Sequence, residues 1–177
     1  DADDDTGRCV GDNLISGNGG AEFCGSHDGV LYNSAGESIG NWSDITKWGQ
    51  NSLVYWTDTL ERAVLDRTMI DQDGKGRVFT GDGASYNNAS KSNACITCDL
   101  FGDWREELVF PANDSTTLRV FGTTYTTSYN MFCLMNDTQY RCQVAGQNVA
   151  YNQPPHTPYF LDSTLPLPEA PQVYEAE

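Results

Sequence analysis

Asp99-Leu-Phe-Gly-Asp-Trp-Arg-Glu-Glu-Leu-Val109 reads as an acidic loop that runs directly into a strand. With Asp99 as position one, carboxylates fall at one, five (Asp103) and nine (Glu107), and the Arg105 backbone carbonyl falls at seven. That spacing suits a Ca²⁺ loop, where a hard cation collects oxygens from one short stretch of chain. Gly102 permits the tight wrap, and Leu108, Val109 and Phe110 then enter a core. Position three is Phe101 rather than an oxygen donor, so a solvated acidic turn before an ordinary strand accounts for the same residues.

Composition extends this reading to the whole chain. Its 177 residues suit one domain with a sizeable core. Glycine is plentiful, aromatics are common and no long helical period appears, which favours an all-β protein. The net charge of −15 argues against a nucleic-acid partner and predicts that polyanions are repelled unless cations intervene. No apolar run approaches membrane-spanning length. The chain opens at Asp1 inside an acidic motif, as a cut or processed piece would.

Six cysteines and four Asn-x-Ser/Thr sequons (Asn41, Asn88, Asn113, Asn136) together favour a secreted, disulfide-bonded glycoprotein. Strands over 130–135 and 140–145, joined through Asn136-Asp-Thr-Gln139, would form a hairpin that sets Cys133 opposite Cys142. Cys9 and Cys24 would close a loop near the start. Cys95 and Cys98 form a lone CxxC that is a local disulfide, a redox pair or half a zinc site; with no second CxxC or nearby His, the local disulfide is preferred.

In chain order, Asp1-Ala-Asp-Asp-Asp5 and the Gly- and Asn-rich loop after it suggest a second cation site from Asp1, Asp3 and Asp5, completed by Glu22. A disordered acidic terminus is the other reading. His27–Tyr32, Asn51–Trp56, Arg77–Thr80, Leu108–Phe110 and Leu118–Gly122 read as strands. Thr59–Asp66 is the one plausible helical turn, with Leu60, Val64 and Leu65 on one face. Gly81–Lys91 is a polar, Gly-rich loop, and residues 162–177 form an extended Pro-rich acidic tail. Short strands at near-regular spacing suggest a sandwich or a propeller, and acidic loops feeding strands favour the propeller.

Asp99–Leu108, Leu134-Met-Asn-Asp137 with Tyr140-Arg141, and Gln147-Asn-Val-Ala-Tyr-Asn-Gln-Pro-Pro-His156 resemble the C-terminal part of family 11 polysaccharide lyases, the rhamnogalacturonan lyases. The similarity runs in order over residues 1–161. It implies the last few blades of an eight-bladed, calcium-stabilised β-propeller, so the remaining blades must come from the same precursor or from other subunits. An isolated arc would expose unpaired edges and apolar faces.

The resemblance also implies a chemistry, β-elimination at galacturonate in the pectic rhamnose–galacturonate backbone. The galacturonate C5 proton is not acidic while the adjacent carboxylate is charged, so a cation or an Arg must neutralise that group. Tyr86-Asn-Asn-Ala-Ser-Lys91 matches the family's functional loop. Lys91 is therefore the expected base, with Asn87 and Asn88 as sugar contacts. Tyr151, Asn152 and His156 are expected at the same face, and Arg8 is expected to clamp the carboxylate. The chain departs from the family pattern at Trp56–Thr59, Asn136 and Gly146. A non-catalytic structural or carbohydrate-binding propeller module is accordingly the alternative.

Overall fold

The computed structural model describes residues 7–89, 91–149, 153–172 and 174. The chain is predominantly β, built from short antiparallel meanders. The first sheet is β1 (Cys9–Asp12), β2 (Glu22–Gly25), β3 (Val30–Tyr32) and β4 (Ser38–Asn41), paired in sequence order. The second, equally sequential, is β5 (Ser52–Val54), β6 (Ala63–Asp66), β7 (Met69–Gln72) and β8 (Gly76–Thr80). The third is β9 (Ile96–Cys98), β10 (Glu107–Pro111) and β11 (Leu118–Phe121).

The second sheet is the middle layer, and the two-residue period of its strands shows why. Leu53 and Val64 are cross-strand partners and pack with Val10, Cys24 and Leu31 of the first sheet. Their neighbours Val54, Ala63 and Leu65 point the other way and pack with Leu108 and Phe110 of the third. A strand covered on both faces needs apolar residues throughout, as Ala63-Val-Leu65 provides. The helical turn expected over 59–66 is thus a strand over its second half: a spacing that fits one helical face also fits a two-sided strand. Each large side chain buried here contributes about 1.5–3 kcal/mol.

A third core of Tyr55, Leu60, Cys98, Trp104, Leu134, Tyr140, Val144 and Leu161 is built largely from loops and one helix. That helix, α2 (Thr138–Gly146), follows a 3-10 turn over Leu134–Asn136 and replaces the hairpin expected at 130–145. Asp137 initiates it rather than turning a hairpin, its carboxylate accepting the Tyr140 amide at 2.8 Å. Tyr140 and Val144, four residues apart, form its buried face. A four-residue helix, α1 (Trp42–Ile45), closes the first sheet. The Gly- and Asn-rich stretch after Asp5, expected as a loop, already contains β1. Residues 163–172 are without regular structure, whereas Leu161 and Asp162 are buried and the Asn13 amide donates to the Leu161 carbonyl at 2.9 Å. Among the described residues no helix is long and apolar enough to cross a membrane.

Candidate functional site

The acidic loop closes on its own amides. Asp99 is buried; one carboxylate oxygen accepts the Gly102 and Asp103 amides at 2.7 and 3.1 Å, and the other accepts those of Trp104 and Leu134 at 3.1 and 2.8 Å. Gly102, at φ +80, makes this wrap possible. Glu107 Oε2 accepts the Leu100 and Phe101 amides at 2.8 and 3.0 Å, and burial pushes its carboxyl up to about 7. Asp103 is paired with Arg105 at 2.5 Å. Both Asp99 oxygens and Glu107 Oε2 are thus directed at amides, and Asp103 at a guanidinium, rather than at one common point as a Ca²⁺ loop requires. Glu22 behaves alike, accepting the Leu14 and Ile15 amides at 2.8 and 2.9 Å and the Asn18 side chain at 2.6 Å. Asp1, Asp3 and Asp5 lie outside the described residues. Among the described residues, no group of three or more His, Cys, Asp or Glu is placed to hold a metal.

A different cluster gathers two of the expected functional residues from distant parts of the chain. Asn87 and Asn93 exchange backbone hydrogen bonds at 2.7 and 3.1 Å, and the Lys91 and Ser92 amides bond back to the Asn88 carbonyl. The loop carrying Lys91 is thereby pinned at its base, with Asn88 and Ser92 both at positive φ. Arg8, at the start of β1, donates to the Lys91 carbonyl at 3.3 Å and to Asn51 Oδ1 at 3.0 Å. Asn51 in turn donates to Asp66, the last residue of β6. Burial draws the Arg8 guanidinium below its ordinary pKa, and Asp66 opposes that shift. The Asn87 amide reaches Cys95 Sγ at 3.0 Å, so Asn87 faces the CxxC while exposed Asn88 faces outward.

His156 is not part of that cluster. Its Nδ1 lies 3.3 Å from Asp12, which ends β1, while Arg8 precedes that strand; four extended residues separate the two by about 13 Å. Tyr151 and Asn152 lie outside the described residues. Beside His156 runs a charged network that the sequence reading missed. Arg62, wholly buried, donates to Glu106 at 2.7 Å and to Asp12 at 3.4 Å, and lies 4.4 Å over the Tyr55 ring. Tyr140 donates to the other Glu106 oxygen at 2.7 Å. The available signal was a lone arginine between Leu60 and Ala63-Val-Leu65, which a covered strand tolerates only with a carboxylate partner.

The cysteine pairings are not formed. All six cysteines are free thiols. Cys9 opposes Gly25 and Cys24 opposes Val10, so the two thiols project from opposite faces of the β1–β2 ribbon. Cys142 is on α2 rather than across a hairpin from Cys133. Cys98 points into the third core, where burial pushes its thiol up to about 12, while Cys95 meets Asn87. The four sequon asparagines, Asn41, Asn88, Asn113 and Asn136, are all exposed.

A family model described as rhamnogalacturonan lyase family 11, C-terminal domain, matches residues 1–171. The rhamnogalacturonan endolyase YesW of Bacillus subtilis (strain 168) is 39% identical over 153 residues, covering 83% of this chain and 24% of its own length. The rhamnogalacturonan exolyase YesX of the same organism is 35% identical over 159 residues, covering 82% and 26%. A solved structure of Bacillus licheniformis rhamnogalacturonan lyase PL11 superposes with a TM-score of 0.87 at 38% identity, covering 96% of this chain and 29% of that one. The chain therefore spans about a quarter of the length of the curated relatives it matches.

Proposed function

The chain belongs to rhamnogalacturonan lyase family 11, as its C-terminal domain, and from that premise we propose that it carries part of the active site of a lyase cleaving the rhamnose–galacturonate backbone of pectin. The observation that carries this reading is the meeting of Arg8 and Lys91, 83 residues apart in sequence, with the Arg8 guanidinium on the Lys91 carbonyl at 3.3 Å.

Arg8 is the group for the galacturonate carboxylate: a guanidinium fork pairs with both oxygens and lowers the cost of negative charge developing toward C5. The Lys91 amine, when neutral, takes the C5 proton. The electron pair of the C5–H bond becomes the C4–C5 double bond, and the C4–O4 bond breaks to release the next sugar. Exposed Asn88 offers its amide to the sugar hydroxyls, whereas the Asn87 amide is directed at Cys95 and supports the loop from behind.

The rest of the protein completes the structure around these sheets. Phe23 and Ile39 on the first sheet and Leu118 and Val120 on the third are exposed apolar residues, as expected of an arc of blades whose outer sheets pack on further ones in a closed propeller. A polymeric pectic substrate would be met outside the cell, in keeping with a secreted protein. Exposed Asn88 keeps the binding-module alternative open, because a glycan there would stand beside Lys91.

The test is a lyase assay on rhamnogalacturonan with the full protein, following ultraviolet absorbance of the unsaturated product. Product that disappears in Lys91→Ala supports the reading. An intact protein that binds the polymer and releases none would replace it with the binding-module alternative.

A further inference from the structure

Half of the ten basic residues of this acidic chain gather along one edge of the first two sheets. Arg8 and Lys91 are joined as described. The Arg67 amide donates to the carbonyl of Ser92, next to Lys91, at 3.1 Å. The Arg67 guanidinium lies 5.0 Å over the ring of Trp48, and that of Arg77 lies 5.6 Å from the same ring. Lys47 adjoins Trp48 and lines with it two clefts of about 320 and 400 Å³.

We infer that Arg67, oriented by Trp48, forms a second subsite that takes the carboxylate of another uronate of the same polymer. This deepens the lyase reading and rests on it for the nature of the ligand.

Charge pairing distinguishes Arg67 from its neighbours. Arg77 is bonded to Asp71, which also accepts the Thr46 hydroxyl at 2.6 Å. Asp66 is occupied by Asn51 and by the Gly49 amide at 3.3 Å. Among the described residues, no carboxylate lies within ion-pair distance of the exposed Arg67 guanidinium, which has only the indole face. Its placement is also held at a cost. Arg67 occupies the β6–β7 turn at φ +56, a conformation that glycine or asparagine adopts more readily.

A polymer carrying a negative charge on every second sugar approaches a protein of net charge −15 only where the local sign is reversed. Here basic groups run from Lys91 through Arg8 and Arg67 to the Trp48 clefts, with Asp66 held by amides and Asp71 paired to Arg77, and with Asp28 and Asp44 also lining the clefts. Asn41 and Gln50 line the smaller cleft beside Trp48 with amides suited to sugar hydroxyls.

The test is calorimetric titration of a galacturonate–rhamnose oligosaccharide, and of its carboxyl-reduced counterpart, into full protein in the Lys91→Ala background, where cleavage is expected to be slowed about 10²–10⁴-fold. Arg67→Asn removes the guanidinium while keeping a residue at ease at positive φ, so the turn is preserved. It is expected to weaken the acidic saccharide about tenfold or more and leave the reduced one unchanged, with Arg67→Lys in between. Parent-like affinity in Arg67→Asn, equal weakening of both saccharides, or no binding by the parent would each overturn the subsite. A wild type that binds with this pattern but yields no unsaturated product would instead remove the lyase reading and leave the subsite standing.

Discussion

Arg62 and Glu106 meet at 2.7 Å with both side chains wholly removed from solvent, 44 residues apart in sequence. Around this pair converge β1 through Asp12, the β5 exit through the Tyr55 amide at 2.8 Å, and α2 through the Tyr140 hydroxyl at 2.7 Å. One ion pair thus ties the first sheet, the second sheet and the helix.

Breaking it from one side is expected to be costly, because the remaining charge is buried without a partner. Arg62→Met or Glu106→Leu alone should destabilise the protein by about 3–5 kcal/mol, whereas the double variant recovers much of that loss. Tyr140→Phe should cost about 1–3 kcal/mol. Denaturant unfolding of the four variants checks this; additive losses in the double variant would contradict it.

Asp12 gives the network a pH dependence. Burial pushes its carboxyl up, but His156 and Arg62 together outweigh burial and hold it below the usual carboxylate range. A depressed folded-state pKa contributes stability that is fully present above the unfolded value of about 3.9 and is lost as pH falls through the folded value. Unfolding free energy should therefore fall more steeply below about pH 4 in the parent than in Asp12→Asn. Parallel pH profiles would show that Asp12 is uncoupled from folding.

Asp99 separates an amide-filled loop from a cation site. Asp99→Asn weakens four hydrogen bonds to a buried carboxylate and should cost about 2 kcal/mol or more. The loss should be the same in calcium and in chelator. A penalty seen only with calcium present would restore the metal reading of this loop.

At the proposed active site, Lys91→Ala should lower kcat by about 10²–10⁴-fold, the usual contribution of a positioned base. Arg8→Lys keeps the charge but loses the fork, and should lower kcat/KM by about tenfold or more. Steady-state kinetics on rhamnogalacturonan, with circular dichroism to confirm folding, measures both. Wild-type rates in Lys91→Ala would remove it as the base.

Much of the chain was legible from local pattern. The strand expected at Asn51–Trp56 contains the observed one, and those at Arg77–Thr80 and Leu108–Phe110 fall inside the observed ones, because short apolar runs bounded by Gly, Asn and Asp have few other uses. The errors fell where two periods coincide. Leu60, Val64 and Leu65 satisfy a helical face, yet Ala63–Asp66 lies between two sheets and is buried throughout. Asn136-Asp137 carries turn chemistry, but Asp137 spends it as a helix cap. Cysteine count likewise carries no orientation: Cys9 and Cys24 lie on neighbouring strands but project from opposite faces.

The sequence by itself determined the family, the β character and the loop holding Lys91, since each is written in contiguous residues. Tertiary structure decided what the charges do. Asp99, Asp103 and Glu107 carry the spacing of a cation loop, but folding aims the Asp99 and Glu107 oxygens at backbone amides. Arg8 acquires meaning only when β1 comes to lie beside a loop more than eighty residues away. Arg62 is unremarkable in the chain and central in the fold, because a carboxylate 44 residues on is buried against it. Charge in a sequence has sign and spacing, whereas its partner and the dielectric around it exist only after packing.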